Sequence, residues 1–92
     1  MYQLAPSRGF RRSIKRLLKS GRFDEDKLYA LFSLLREGGP LPVQYSDHAL
    51  GGEYLGYREC HLKGNLLVMY EIHEARKEII LMNIGSHSEL FG

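Results

Sequence analysis

The sequence contains a single cysteine, no tryptophan and only three prolines. One cysteine, Cys60, cannot form a disulfide within the chain or build a cysteine-based zinc site, which favours a reducing compartment such as the cytoplasm. A secretory segment and an apolar run of membrane length are both lacking, so we expect no membrane association. Walker-type and dinucleotide-binding glycine motifs and a serine hydrolase elbow are also missing. These absences exclude several common enzyme classes.

Acidic residues are absent from the first 23 positions. That region has a charge of +7, the remainder has −5, and the net charge is +2. An unopposed run of one sign predicts a polyanion or an acidic protein as partner, whereas a solvated helix face is the simpler alternative. The seven basic residues are Arg8, Arg11, Arg12, Lys15, Arg16, Lys19 and Arg22.

Two amphipathic helices are predicted before Pro40. Apolar residues at positions 10, 14, 17 and 18 recur with helical spacing, with Ser7 as N-cap and Gly21 at the end. A second stripe at positions 28, 31, 32 and 35 follows Asp24 and stops at Gly38. A short strand over 2–4 precedes both helices. The first part of the chain therefore predicts a strand and a helical hairpin.

The second half of the chain alternates apolar strands with turns. Strands are predicted over 54–62, 66–72 and 79–84, joined by tight turns. The segment 38–53 is predicted to be a loop, and loops of that length usually have a function. The 92 residues are expected to form one domain over 1–92. Its predicted class is α+β, with an N-terminal short strand and a two-helix hairpin packed on an antiparallel sheet.

Three histidines are candidates for catalysis. His61 ends the first strand of the predicted meander and His87 follows the last strand, so both lie at the edge where these two strands end. His48, in the long loop, can approach them. Imidazoles near neutral pH can take and give protons, which predicts general acid–base catalysis. A three-histidine zinc site is the alternative, but spacings of 13 and 26 residues lack the tight local pair that is typical of metal ligands.

Strand alternation makes a further prediction about the 57–61 segment. Residues two apart share a face, so Tyr57, Glu59 and His61 point one way. Arg58 and Cys60 point to the other face unless a bulge intervenes. Arg58 is therefore an uncertain direct partner of His61.

The C-terminal segment fits a capping box, in which Ser86 and Glu89 bond reciprocally at the start of a short helical turn. Such a box would fix His87 in place, with Gly85 permitting a sharp turn out of the strand. Phe91 supplies apolar surface close to the end. The alternative is a terminal lock in which the histidine is incidental.

Three segments together resemble the YafQ-like branch of the RelE/ParE toxin superfamily, and the resemblance covers nearly the whole chain. It implies a bacterial toxin of a toxin–antitoxin pair, with the compact fold shared with microbial ribonucleases. Such a toxin enters the ribosomal A site, cleaves messenger RNA without a metal or other cofactor, and is silenced by a cognate antitoxin. The segments are Asp47-His-Ala-Leu-Gly51, Gly56-Tyr-Arg-Glu-Cys-His61 and Gly85-Ser-His-Ser-Glu-Leu-Phe91.

The resemblance also implies roles for single residues. The RNA 2′-hydroxyl attacks the adjacent phosphate, and His48, His61 and His87 match the histidines of that branch. His87 is the expected general acid toward the departing 5′ oxygen, with His61 or His48 as the base. Phe91 matches an aromatic residue near the substrate base, and Arg58 matches a basic position of the wider superfamily.

Two departures from the family pattern bear on activity. Asn65 stands where the branch commonly has an acid, and Asn83 stands where it commonly has an arginine. An asparagine can donate a hydrogen bond to a phosphate but cannot supply charge, so Lys63 or Arg58 is expected to replace the missing cation. A non-catalytic inhibitor of the same fold, like the gyrase-poisoning relatives, is the alternative function.

The basic first helix fits this interpretation independently. Phosphate contacts by Lys and Arg supply most sequence-independent affinity for nucleic acid. Ribosomal RNA is the expected partner of this helix, and an acidic antitoxin segment is the alternative. The predicted contact residues are Arg8, Arg11, Arg12, Lys15, Arg16 and Lys19.

Overall fold

The computed structural model describes residues 1–21 and 23–92, so Arg22 of the basic run lies outside the described residues. Eight helices and strands make up this part of the chain, with short 3₁₀ turns between some of them. In chain order they are β1 Gln3–Pro6, α1 Arg8–Ser20, α2 Glu25–Glu37, β2 His48–Ala49, β3 Arg58–Lys63, β4 Leu66–His73, β5 Glu78–Gly85 and α3 His87–Phe91.

Both long helices begin and end as their sequences predict. The Ser7 hydroxyl accepts a hydrogen bond from the Phe10 N–H, and the Asp24 carboxylate accepts one from the Lys27 N–H. These bonds satisfy donors that have no partner within a helix. At the other end of α1, Gly21 has φ 72°, a left-handed conformation that glycine adopts without strain.

The strands form one five-stranded sheet in the order β1-β5-β4-β3-β2. The α+β class and the helical hairpin are confirmed, but the sheet is mixed because β1 pairs parallel with β5. The helical hairpin carries the chain from β1 at one edge to β2 at the other, a crossing that the local sequence pattern does not reveal. The edge strand β2 lies in the segment that was predicted to be a loop.

The strand boundaries differ from the prediction mainly before β3. The predicted strand over 54–62 begins instead at Arg58, because the preceding residues make a 3₁₀ turn at Gly52–Tyr54 and Gly56 has φ 99°. A left-handed glycine cannot continue an extended strand. The turn brings Tyr54 toward the end of the sheet where α3 lies.

The main core lies between the two long helices and one face of the sheet. The two-residue alternation sends Cys60, Val68 and Ile84 to this face. Leu67 and Met69, which point the other way, are also buried. The buried residues of the main core are Phe10, Leu28, Leu31, Leu35, Cys60, Val68, Tyr70, Ile79, Leu81 and Ile84. We call this side of the sheet the helix face and the opposite side the site face.

Among the helices that the structure describes, none combines the length and apolar character needed to cross a membrane.

Candidate active site

A single row of residues across three strands brings His61 and His87 to the same end of the sheet. His61 pairs with Leu67 across β3 and β4, and Leu67 pairs with Gly85 across β4 and β5. Two strand spacings separate the outer members of the row by roughly 10 Å. His87 follows Gly85 by two residues at the start of α3. The predicted meeting of the two strand ends is therefore present.

The short strand β2 adds His48 to this region. His48 pairs with Glu59 of β3, and its ring centroid lies 6.5 Å from that of His61. Three residues from two neighbouring strands thus form a compact group on the site face. We call His48, Glu59 and His61 the histidine cluster.

Glu59 lies between the two imidazoles. Its Oε1 is 3.5 Å from His48 Nε2 and 3.9 Å from His61 Nε2, and the residue is only 5% exposed. Glu59 is not among the site residues that the sequence predicts. The available signal was its place two residues before His61, which puts both side chains on one face of a strand.

The hydrogen bonds of His48 fix its tautomer. Its Nδ1 lies 2.8 Å from the carbonyl oxygen of Ser46, which can only accept, so Nδ1 carries the proton. The other ring nitrogen, Nε2, faces Glu59 at 3.5 Å from its Oε1. A proton on Nε2 makes an ion pair with the carboxylate, and the neutral ring presents a lone pair able to take up a proton.

The short helix α3 is held by the predicted capping box. The Ser86 hydroxyl accepts from the Glu89 N–H, and the Ser86 N–H donates to Glu89 Oε1 at 2.7 Å. These hydrogen bonds from Ser86 hold the pKa of Glu89 below its usual range, with a smaller contribution from the positive charge of Arg16. The box orients the first turn of α3, which carries His87.

Gly85 is required for a reason other than the predicted one. Its φ is not in the left-handed region. A Cβ at this position would lie 2.9 Å from Glu89 Oε1 and 3.3 Å from Glu89 Cβ. The glycine therefore makes room for α3 to fold back against β5.

Aromatic rings flank His87. The centroid of Phe91 lies 4.9 Å from that of His87 and 4.9 Å from that of Tyr54, the latter pair being edge to face at 89°. Such pairs stabilise one another beyond their simple burial. Tyr54, which reaches the site from the turn before β3, is not among the site residues that the sequence predicts.

Arg58 does not face the imidazoles. Its Nη2 and Nε donate to Asp47 Oδ2 at 2.8 Å and 3.3 Å, on the helix face of the sheet. The alternation prediction for Arg58 and Cys60 agrees with this arrangement. Lys63 and Asn65 lie exposed at the turn between β3 and β4, near the end of the sheet that carries His61.

Asn83 connects β5 to the basic helix. Its Oδ1 accepts a hydrogen bond from the Ser13 hydroxyl at 2.7 Å, and Arg16 Nη2 lies 3.4 Å from that same hydroxyl. A cation from α1 is thus held close to the Asn83 side chain.

The basic residues predicted on α1 are all exposed. Phe10 and Ser13 are the buried residues of this helix, and Arg16 lies beside Ser13. Within residues 1–21 and 23–92, no group of three His, Cys, Asp or Glu side chains has a geometry able to hold a metal ion.

The family described as "Bacterial toxin of type II toxin-antitoxin system, YafQ" matches residues 2–92. The mRNA interferase toxin YafQ of Escherichia coli K12 is 36% identical over 70 residues, which are 75% of this chain and 74% of that protein. A YafQ relative of Haemophilus influenzae is 42% identical over 52 residues, 54% of this chain. That second alignment spans about half of the relative, 51% of its length.

Solved structures share the whole fold. The crystal structure of a metal-bound toxin from Helicobacter pylori has a TM-score of 0.90 and 41% identity, covering 99% of this chain and 100% of the other. The toxin in the E. coli DinJ-YafQ toxin-antitoxin complex has a TM-score of 0.86 and 30% identity, covering 99% and 98%.

Proposed function

Because this chain belongs to the YafQ family of toxins from bacterial type II toxin–antitoxin systems, we propose that it is a ribosome-dependent endoribonuclease that cleaves messenger RNA. The E. coli relative is an mRNA interferase toxin. The observation that carries the proposal for this chain is the convergence of the histidine cluster with His87 and Phe91 at one end of the sheet. The cytoplasm is the proposed compartment, since ribosomes are the site of action.

The proposed reaction is a transfer within the RNA itself. The 2′-oxygen loses its proton and attacks the adjacent phosphorus, while the bond from phosphorus to the 5′ oxygen breaks and that oxygen gains a proton. The products are a 2′,3′-cyclic phosphate and a free 5′-hydroxyl. The protein has to supply a base, an acid and compensation for the phosphate charge.

The histidine cluster is the proposed source of the base. The carboxylate of Glu59 can stabilise either imidazole once it has taken the proton from the 2′-hydroxyl, because it lies within 4 Å of both Nε2 atoms. His48 and His61 share the role in this arrangement, and Glu59 holds the resulting positive charge.

His87 is the proposed general acid toward the 5′ oxygen. It lies across β4 from the cluster, so an RNA phosphate placed over Leu67 would have His61 on one side and His87 on the other. Phe91 and Tyr54 offer ring faces and edges on which a base can stack. These contacts would fix the nucleotide next to the scissile bond.

The charge on the phosphate is proposed to be met by Arg16 and Lys63. Arg16 reaches the Asn83 position from α1 through Ser13, and its guanidinium can grip a phosphate with two hydrogen bonds. Because Asn83 Oδ1 already accepts from Ser13 and from the Ile84 N–H, its amide nitrogen is the group left for the RNA. Asn65 can add a neutral hydrogen bond beside Lys63.

The remaining exposed cations of α1 are proposed to contact ribosomal RNA in the A site. A cognate antitoxin is the second proposed partner, by analogy with the antitoxin in the E. coli DinJ-YafQ complex. The ribosomal contacts include Arg8, Arg11, Arg12, Lys15 and Lys19.

Replacing the proposed acid tests the function directly. His87→Gln keeps the size of the side chain but cannot protonate the 5′ oxygen, so cleavage of a translated message should fall about 100-fold or more. Primer extension on messages translated with purified ribosomes measures the cleavage. His73→Gln is the matched control, since His73 pairs with Glu71 at the far end of β4.

The outcomes separate three interpretations. Loss of cleavage in His87→Gln with full activity in His73→Gln supports the proposal. Growth arrest by both variants with messages left whole, together with damaged DNA replication, would instead indicate a non-catalytic inhibitor. Loss of wild-type cleavage on adding a chelator, restored by a divalent metal, would indicate a metal-dependent histidine site.

A further inference from the structure

A second group of polar residues lies on the helix face of the sheet, behind the histidine cluster. The Asp47 carboxylate accepts hydrogen bonds from Arg58 Nη2 at 2.8 Å and Nε at 3.3 Å, both on Oδ2. Its other oxygen, Oδ1, accepts a hydrogen bond from the Tyr70 hydroxyl. We call Asp47, Arg58 and Tyr70 the Asp47 cluster.

Two of the three side chains in this cluster are largely closed to water, while that of Arg58 is 34% exposed. The side chain of Asp47 is 16% exposed, and Tyr70 is 2% exposed. The hydrogen bonds that Arg58 donates to Asp47 raise the pKa of Arg58, and burial raises the pKa of Tyr70. Charge-assisted bonds of this kind, two of them from one guanidinium, are strong and directional.

The cluster adjoins the backbone that carries His48. Asp47 immediately precedes His48, and β2 consists of only two residues. Arg58 contacts this segment twice, through its side chain on Asp47 and through its backbone pairing with Ala49. A strand of two residues cannot fix a side chain by its ladder alone.

The turn before His48 also needs contacts from outside the turn to stabilise its conformation. Ser46 has φ 48°, a left-handed conformation that costs free energy for a residue with a side chain. The Ser46 carbonyl oxygen is the acceptor that sets the tautomer of His48. Any relaxation of this turn would release the Nδ1 bond and turn Nε2 away from Glu59.

We propose that Asp47, Arg58 and Tyr70 are positioning residues, which act through the backbone to hold the His48 imidazole against Glu59. The inference rests on the proposed function, because it assigns the cluster to the base of the same reaction. It also agrees with leaving Arg58 out of the groups proposed to bind the phosphate, since its guanidinium is bonded to Asp47. The guanidinium supports the site from the opposite face of the sheet.

Two variants test this positioning role without emptying the core. Tyr70→Phe removes the hydroxyl that bonds Oδ1 and leaves the ring in place, and Asp47→Asn removes the charge while keeping the shape. Each should lower cleavage roughly 3- to 10-fold, the loss expected for one hydrogen bond. Glu71→Gln, which alters the His73 partner at the far end of β4, is the matched control.

Imidazole ¹⁵N spectra of the labelled full chain give a readout independent of activity. In the wild type, His48 should show a single tautomer with the proton on Nδ1. In both variants its resonances should shift toward a mixture of tautomers, while those of His87 stay unchanged. In Glu71→Gln only His73 should respond.

The spectra also separate this inference from the proposed function. If His48 responds in the variants but the wild type cleaves no message, the positioning role stands and the assigned reaction fails. If His48 is unchanged while cleavage or thermal stability falls, the cluster supports the domain as a whole and the positioning role is overturned. Failure of both variants to fold would overturn it in the same way.

Discussion

The two faces of β3 hold their ionisable side chains in different ways. On the site face, Glu59 lies 3.5 Å and 3.9 Å from two imidazoles that are 49% and 42% exposed. On the helix face, Arg58 donates to Asp47 at 2.8 Å over the buried ring of Tyr70. The site-face distances are long for hydrogen bonds, so these side chains are held less tightly than the Arg58–Asp47 pair. Residue parity in one strand thus separates the groups that we propose to react from the groups that we propose to support them.

The strongest test of this comparison changes a residue on the site face alone. His61→Gln should reduce message cleavage about 10-fold or more, because a glutamine amide cannot exchange a proton near neutral pH and His48 is then the one imidazole left to act as the base. The free energy of unfolding should change by less than about 0.5 kcal/mol, since the side chain is partly exposed. Primer extension and urea denaturation of the same preparation provide the two measurements.

The comparison fails if stability falls together with activity in this variant. Such a result would mean that the histidine cluster holds the sheet together.

Cys60, which precedes His61 in β3, should show the reverse behaviour, with a lower stability and unchanged cleavage. Cys60 is completely buried on the helix face, and burial raises the pKa of its thiol to about 12. Cys60→Ser places a hydroxyl in an apolar core, so the free energy of unfolding should fall by roughly 2 kcal/mol. Cleavage per folded molecule should stay unchanged. Denaturation curves and cleavage rates normalised to the folded fraction measure both.

A control variant sharpens this second test. Cys60→Ala keeps the site apolar and removes only the sulfur, so it should cost less than Cys60→Ser. If cleavage per folded molecule falls in both variants, the helix face of β3 contributes to the reaction and the two faces do not have separate roles.

Local sequence patterns predicted the helices and their ends well. Ser7, Asp24 and Ser86 are caps whose hydrogen bonds reach only three residues along the chain. Interactions of that range are encoded in adjacent residues, so a single sequence reveals them. The same reasoning placed Arg58 and Cys60 opposite His61, because alternation along a strand is also local.

The strand pairings between distant segments could not be predicted from local sequence patterns. The parallel pairing of β1 with β5 joins residues about 75 positions apart, as Gln3 with Glu78 shows. The two-residue strand β2 exists only because β3 offers an edge for His48 to pair with. A glycine- and proline-containing segment gives no periodic signal for such a pairing.

The residues of the candidate site also fall into two groups, those predicted from the sequence and those found through contacts between strands. The three histidines and Phe91 were identified from the sequence, with their roles taken from the resemblance. Glu59 and Tyr54 emerged only from the structure, because each becomes significant through contacts across strands. Whether a carboxylate faces solvent or two imidazoles depends on sheet register, which no local pattern specifies.

The smallest expected effect concerns the helix that carries His87. The hydrogen bonds from Ser86 lower the pKa of Glu89, so the capping box contributes its full stability above the ordinary pKa range of a glutamate. This contribution is lost as the pH falls through the lowered pKa. The exchange protection of the Ser86 amide, which donates to Glu89 Oε1, should fall over that acidic range. Glu89→Gln should keep part of the protection and remove its pH dependence, whereas Glu25→Gln in α2 should leave the wild-type profile intact. An unchanged pH profile in Glu89→Gln would mean that packing of Phe91 against Tyr54 holds α3 without the box, and the site face would then be stiffer than its long distances imply.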